Sequence, residues 1–323
     1  MKLKSIFVRS LVAPAVVALT VICAAVAPPA SASADIVTDS GARAAKWLAT
    51  KQEADGGFSS GFSKGSDVGA TADAVVAFVA AGLPVESVKN AAGLSPLDYL
   101  KAQFSSAKLN TGEYAKIAIA VKAAGLNPAQ FGGENVPNQI MAGYNSKTGI
   151  FGDNVFVHAE SILALATNGD TVPTKAITTL ESLQSPAGGW SFMGSGEPDV
   201  DTTAMAVQAL IAVGRPAATG TAGRGMGYLH SLQNNDGGFP YQSPSQYGTD
   251  SNANSTALVA QAIIAGGTQP EAWAAPGGNP LSAIIILQQP SGAFAYQATM
   301  PGDNTLATIG AIQALYRVTV SGK

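Results

Sequence analysis

A short repeated motif constrains the fold of this chain more than any other feature. Glutamine, with glycine four positions later and an aromatic residue six positions later, occurs at Gln52-Gly56-Phe58, Gln184-Gly188-Trp190, Gln233-Gly237-Phe239 and Gln288-Gly292-Phe294. The same spacing has a shorter amide at Asn145-Gly149-Phe151 and a degraded copy at Gln103-Ala107-Leu109. Internal repeats of this length indicate stacked supersecondary units, so we divide the chain into six.

Each predicted unit contains a helix, the glycine-rich motif loop and a second helix. The most clearly marked second helix has Asp199 and Asp201 at its start as candidate caps, and Gly214 and Pro216 at its end. Six helical hairpins in series must bury their apolar faces on one another. We therefore predict an all-α fold, an α6/α6 barrel (toroid) with the second helices lining it. An open solenoid is the competing architecture.

The first 34 residues have the pattern of an export signal. Lys2, Lys4 and Arg9 precede a short apolar run, and a small-residue cleavage site ends at Ala34. We expect a signal peptide over 1–34 and a single toroid domain over 35–323, secreted and without a stable membrane anchor.

The residue inventory excludes several partners and cofactors. The only cysteine, Cys23, lies in the predicted signal, so the mature chain offers neither a thiolate nucleophile nor a cysteine ligand for zinc. With His158 and His230 as the only histidines, we predict no metal and no cofactor. Without the signal the chain keeps 15 basic and 21 acidic residues, a net charge of −6, which argues against nucleic acid as a partner.

Alignment of the second helices places a polar or aromatic residue one turn into each of them: Thr71, Tyr114, His158, Thr203, Thr256 and Thr308. Directed into the barrel, these side chains would form a belt of ligand-binding groups; the alternative is local bonding of each threonine to its own helix. Two residues further along, Asp73, Lys116 and Glu160 share one height. We predict that Lys116 bridges the two carboxylates.

The loops that lead into the second helices meet at one mouth of the predicted barrel. Aromatic residues are frequent there, at Phe156, Phe192, Tyr241, Tyr247 and Tyr296. They favour a binding site for a partly apolar ligand, with simple packing of the rim as the alternative. Free N–H groups at the helix starts would favour an anionic group on the ligand, although the nearby aspartates would oppose it.

The repeats resemble those of the terpene cyclase and protein prenyltransferase superfamily of α/α toroids, over the whole mature chain. The resemblance implies that the motif braces the outer helices and performs no chemistry. Zinc prenyltransferases and the thioester domains of complement-like proteins need a cysteine that the mature chain lacks. Cobalamin carriers hold their ligand between such a barrel and a β domain for which this chain has no room.

The stretch from Asp199 to Ala204 is similar to the D-x-D-D-T-A motif of class II terpene cyclases, whose central carboxyl protonates an alkene. By this resemblance Asp201 is the general acid, and Asp199 helps to keep it protonated. Thr202 replaces an acid of the motif, and those cyclases place their site between two toroid-like domains, so both points argue against catalysis. A glycosidase-type carboxylate pair drawn from Asp73, Glu160 and Asp201 is a remoter hypothesis.

The sequence thus predicts a secreted toroid that binds a partly apolar small molecule, isoprenoid-like or corrinoid-like, or a cell-surface partner, at the barrel mouth. The alternative is a class II terpene cyclase-like isomerase with Asp201 as its acid. Helix capping is the competing interpretation of Asp199 and Asp201.

Overall fold

The computed structural model of the chain describes residues 30–62, 64–106 and 108–317, and the regular secondary structure of this part is almost all helix. The outer helices of the six hairpins are α1 (Ala30–Ala49), α3 (Pro96–Ser106), α5 (Val136–Ala142), α7 (Thr174–Ser182), α9 (Gly220–Ser231) and α11 (Pro280–Ile285). The inner helices are α2 (Val68–Ala80), α4 (Thr111–Ala123), α6 (Val155–Asn168), α8 (Val200–Ala212), α10 (Ala253–Ala265) and α12 (Thr305–Leu315). Two short strands, β1 (Tyr144–Asn145) and β2 (Ile150–Phe151), pair antiparallel before α6. Single 3₁₀ turns cover Val85–Ser87, Pro128–Gln130 and Pro270–Ala272.

Most of the predicted export signal lies outside the described residues. Its last residues, from Ala30 to Ala34, belong to the first turns of α1. None of the helices in the described ranges is long and apolar enough to cross a membrane.

The inner helices close into a ring. Each packs against the next in chain order, and α12 returns to contact α2, while α1 packs against α12 and α11 to complete the outer layer. Small residues five positions after the helix caps allow this close approach, because Ala72, Ala115, Ala159, Ala204 and Ala257 are all at most 1% exposed. The predicted α6/α6 barrel is confirmed, and the open solenoid is wrong.

Every inner helix begins with an Asp or Asn cap whose side chain accepts the N–H three residues later: Asp67, Asn110, Asn154, Asp199, Asn252 and Asn304. On α6, α8 and α10 the first N–H of the helix also donates to a carbonyl of the following repeat, at Phe192, Tyr241 and Tyr296. These bonds occupy N–H groups that the sequence analysis had expected to be free. The helix starts therefore offer little to an anionic ligand.

The repeated motif ties neighbouring hairpins together. In four repeats the glutamine Nε2 donates both to the motif glycine carbonyl and to a carbonyl in or before the next outer helix, as in Gln184 to Gly188 (2.7 Å) and Thr221 (2.8 Å). Gln288 makes the same pair of bonds to Gly292 and to Ser40, so the sixth repeat is locked to the first. The motif is structural, as predicted, and it acts through backbone hydrogen bonds.

Candidate functional site

The barrel encloses a cavity of about 240 Å³ that is lined by the inner helices. Its lining residues lie mainly two, six and nine positions after each helix cap. Since an α-helix turns 100° per residue, these three positions fall within roughly 60° of one another on one helix face. They form three layers, which we call the mouth layer, the middle layer and the floor layer.

The mouth layer has side chains on only part of its circumference. Phe156, Asp201, Asn254 and Leu306 line the cavity from α6, α8, α10 and α12. On α2 and α4 the equivalent positions are Gly69 and Gly112. The polar groups of this layer, Asp201 and Asn254, therefore stand together on neighbouring helices.

Asp201 lines the cavity with a half-buried carboxyl group. Its Oδ1 atom is buried and has no hydrogen-bond partner among the described residues. Burial raises the pKa of Asp201 to about 7; a hydrogen bond from Ser255 opposes the rise, and the charge of Asp199 adds to it. Near neutral pH this carboxyl can therefore donate a proton or accept one.

Asp199 does not line the cavity. It is 2% exposed and caps α8 by accepting the Thr202 N–H at 2.7 Å. Burial raises the pKa of Asp199, against hydrogen bonds from Thr202 and Phe192 that lower it. The capping interpretation holds for Asp199, while its charge still acts on Asp201 as the resemblance implied.

The middle layer contains the predicted ion bridge. Lys116 Nζ lies 2.7 Å from Asp73 Oδ2 and 3.3 Å from Glu160 Oε1, so the prediction is confirmed. Burial raises the pKa of Glu160, an effect that Lys116 opposes and Asp73 reinforces. On the other three helices this layer consists of Met205, Leu258 and Gly310.

Three glutamines occupy half of the floor layer, and the sequence analysis missed them. Gln261 Nε2 donates to Gln313 Oε1 at 3.1 Å, and Gln313 Nε2 donates to the Asp73 carbonyl at 2.9 Å. Gln208 is 2% exposed, and its Nε2 has no partner in the described chain. The signal was present as a glutamine nine residues after the cap in three successive repeats. Val76, Ile119 and Leu163 complete the layer.

The predicted polar belt faces away from the cavity. Thr71, Thr203, Thr256 and Thr308 are at most 1% exposed, and each hydroxyl accepts the N–H of the motif aromatic of its own repeat, at 2.8–3.0 Å. Each also donates to the carbonyl of its helix cap. Two positions separate this column from the mouth layer, which rotates it by about 200°. These four residues thus join motif loop to inner helix, and the structure corrects their placement as ligand contacts.

His158 and Tyr114 occupy the same helix position as the four threonines but make different contacts. His158 Nδ1 accepts the Phe151 N–H at 3.1 Å, and Nε2 lies 3.1 Å from the Ala176 carbonyl. Burial lowers the pKa of His158 to about 4, so it is neutral at physiological pH. In the degraded second repeat, the Tyr114 ring stacks on Phe104 of the outer helix α3. Neither side chain lines the lumen cavity.

The predicted mouth aromatics divide into two kinds. Phe192, Tyr241 and Tyr296 each follow a motif aromatic by two residues and are partly exposed at the rim. Burial and then the charges of Asp199 and Asp201 raise the pKa of Tyr241 to about 12, and Asp201 contributes in the same sense to a raised pKa of Tyr296. The carbonyls of both tyrosines accept the first N–H groups of α8 and α10, so both residues lie beside the mouth layer. Tyr247 is 91% exposed on the loop before α10 and lies outside the cavity lining.

Comparison with known proteins identifies the family. The model of the prenyltransferase alpha-alpha toroid domain matches residues 16–116 and 154–296. The chain belongs to this family. A search of curated proteins finds no match.

Solved structures share the toroid at low sequence identity. The type II terpene cyclase MstE from Scytonema is 13% identical, with a TM-score of 0.65 over 87% of this chain and 98% of that one. A glycosidase is 14% identical, with a TM-score of 0.59 over 88% and 97% of the two chains. The ent-copalyl diphosphate synthase from Streptomyces platensis is 17% identical, with a TM-score of 0.53 over 79% of this chain and 50% of that one. Identities this low establish the fold alone.

The match to MstE corrects one expectation from the sequence. We had counted the lack of a second toroid-like domain against cyclase chemistry. Because this toroid covers 98% of a type II terpene cyclase, a second toroid is not a general requirement of such enzymes.

Proposed function

We propose that this protein binds a small, partly apolar molecule in the barrel lumen, through the mouth at which the inner helices begin. The observation that carries the proposal is a group of buried polar atoms without partners on the α8–α10 side of the cavity. There Asp201 Oδ1, Asn254 Oδ1 and Gln208 Nε2 are buried without partners in the described chain, beside Met205 and Leu258. Buried polar atoms are normally hydrogen-bonded, and leaving one unpaired costs about 1–3 kcal/mol. A ligand that supplies partners would recover this free energy.

The size of the cavity narrows the choice of ligand. At about 240 Å³ it is slightly smaller than the roughly 300–1,000 Å³ of typical small-molecule pockets. A short isoprenoid-like molecule suits this volume, and a corrinoid is far too large for it. With the export pattern at the N-terminus, we propose a secreted binding protein.

Titration calorimetry with geraniol tests the proposal. We expect wild-type protein to bind one geraniol, and native mass spectrometry to detect the complex. Met205→Trp fills the apolar side of the lumen and should abolish binding. Met193→Trp, at a rim residue that is 67% exposed, is the matched control and should bind normally. Binding that survives Met205→Trp would place the site elsewhere, and no binding to wild type would remove support for the proposal.

A second candidate function is a terpene cyclase-like isomerase with Asp201 as general acid. Its support is the position of Asp201 in the lumen, its raised pKa of about 7, and the neighbouring aromatic rings of Phe156, Tyr241 and Tyr296. Aromatic faces stabilise cations. Against it, Lys116 and its two carboxylate partners occupy the middle layer, where a cyclising hydrocarbon chain would have to lie.

Incubation of wild type and Asp201→Asn with geraniol, an isoprenoid short enough for the cavity, decides between the two functions. Cyclised product from wild type alone, with circular dichroism unchanged in the variant, supports the enzyme. Geraniol binding by both proteins with no product from either leaves the binding protein.

A further inference from the structure

The lumen has an excess of negative charge. Asp73, Glu160 and Asp201 contribute three carboxyl groups, and Lys116 contributes one ammonium group. Lys116 contacts Asp73 and Glu160, whereas no ion-pair contact reaches Asp201 within the described chain. Two formal negative charges therefore remain when all four groups are ionised.

The unpartnered atoms of the mouth layer are both hydrogen-bond acceptors. They are Asp201 Oδ1 on α8 and Asn254 Oδ1 on the adjacent helix α10. A carboxylate or phosphate brings acceptors only and would leave both atoms unpaired. A primary ammonium group brings three donors and a positive charge.

Aromatic residues lie beside the same position. Phe156 belongs to the mouth layer. The carbonyls of Tyr241 and Tyr296 accept the first N–H groups of α8 and α10, next to Asp201 and Asn254. Cations are attracted to aromatic faces. The helix starts, which would otherwise favour an anion, have their first N–H groups bonded within the protein at α6, α8 and α10.

The lower part of the cavity can accommodate the apolar part of a ligand. Met205 and Leu258 are apolar, and the floor at Gln208 lies seven residues below Asp201 on α8, about 10 Å along the helix axis. The buried, unpartnered amide of Gln208 is a second sign, independent of the carboxylates, that this side of the lumen accommodates a ligand.

We propose that the lumen selects a ligand with a primary ammonium head group, held by Asp201 and Asn254 among the mouth aromatics, and an apolar tail that lies along Met205 and Leu258. This inference rests on the proposed function and gives it a ligand class. It differs from the isoprenoid-like and corrinoid-like ligands considered above in the charge of the head group.

Three probes with the same tail test the inference: geranylamine, geraniol and geranic acid. We expect calorimetry at pH 7 and low salt to show geranylamine binding at least about tenfold more tightly than geraniol, as a charge-assisted hydrogen bond predicts. Geranic acid should bind most weakly. Because the bound cation stabilises the Asp201 carboxylate, binding should release protons, so the measured heat should vary with the ionisation enthalpy of the buffer.

Two variants test whether Asp201 causes the preference for geranylamine. Asp201→Asn should remove both the tenfold preference and the proton release, so that geranylamine binds no more tightly than geraniol. Asp250→Asn, at an exposed acid outside the lumen, is the matched control and should keep both. Equal affinity for geraniol and geranylamine, or a preference that survives Asp201→Asn, would overturn the inference and leave the proposed function intact. If none of the three probes binds, both proposals fall.

Discussion

The two halves of the lumen differ in whether their buried polar groups find partners within the protein. On α2, α4 and α6, Lys116 joins Asp73 and Glu160 into one ionic cluster, so these charges partner one another. On α8, α10 and α12 the middle layer is apolar, and the polar atoms above and below it include Asp201 Oδ1 and Gln208 Nε2, which have no partner in the described chain. We call the side formed by α2, α4 and α6, where the charges pair with one another, the self-satisfied half. We call the side formed by α8, α10 and α12, where buried polar atoms lack partners, the open half.

This difference distinguishes polar groups that bond to one another within the fold from polar groups that are available to a ligand. Both halves have acidic and polar residues on the lumen face, in the middle layer of one half and in the mouth and floor layers of the other, so residue type alone does not distinguish them. What distinguishes them is whether each donor and acceptor has a partner within the protein. The proposed ligand site is therefore on the α8–α10 side, and we expect the ionic cluster to contribute to stability.

The largest expected effect concerns Asp201. Its folded-state pKa of about 7 exceeds the unfolded value, so the folded protein binds a proton more tightly and wild type loses stability as pH rises from about 4 to 7. Above pH 7 the loss is complete, and three pKa units correspond to about 4 kcal/mol at most. Asp201→Asn should therefore raise the free energy of unfolding at pH 8 by a few kcal/mol, measured by urea denaturation, and by little at pH 4.

Asp250→Asn serves as the control, because Asp250 is exposed. It should change stability by less than about 0.5 kcal/mol at both pH values. If Asp201→Asn destabilised the protein at pH 8, the open half would not carry an uncompensated carboxylate.

The fold and the ionic cluster could both be predicted from the sequence, since each depends on aligning the repeats. The motif glutamines, glycines and aromatics fix the register of six hairpins, and the register alone brings Lys116 to the height of Asp73 and Glu160. The similarity to a known acid motif also singled out Asp201, which lines the lumen. These predictions needed only positions along the chain.

The face of each inner helix could not be predicted in the same way. Inner helices contact outer helices, neighbours and the lumen, so they are apolar nearly all round and lack the polar stripe that orients a surface helix. The threonine column looked like a lining because it was polar, yet the motif loops that it binds are on the opposite side. The spacing of Asp201, Met205 and Gln208 marks the lumen only once that face is known.

A smaller effect is expected from breaking the self-satisfied half. Lys116→Met leaves Asp73 and Glu160 without their cation, and removal of one partner from a buried ion pair costs about 3 kcal/mol or more. Since Lys116 and Asp73 are partly exposed, we expect a loss of about 2–3 kcal/mol in thermal or urea unfolding at pH 7. Lys122→Met, at an exposed position near the end of the same helix, should be nearly neutral. Unchanged or increased stability of Lys116→Met would show that the cluster is not required for folding.

The smallest effect compares two glutamines of one layer, Gln313 and Gln208. Gln313 links α12 to α2 and α10, so Gln313→Leu removes the side-chain bond to the Asp73 carbonyl and leaves the Gln261 amide without its partner, which should cost about 1–2 kcal/mol. Gln208→Leu removes a buried Nε2 that has no partner in the described chain, so its cost should be near zero, or the variant should gain stability. Both substitutions remove an amide and keep similar volume, and urea denaturation of the two proteins side by side isolates the difference. Equal losses of stability would mean that Gln208 has hydrogen-bond partners as good as those of Gln313. Gln208 would then no longer be evidence for a ligand in the open half.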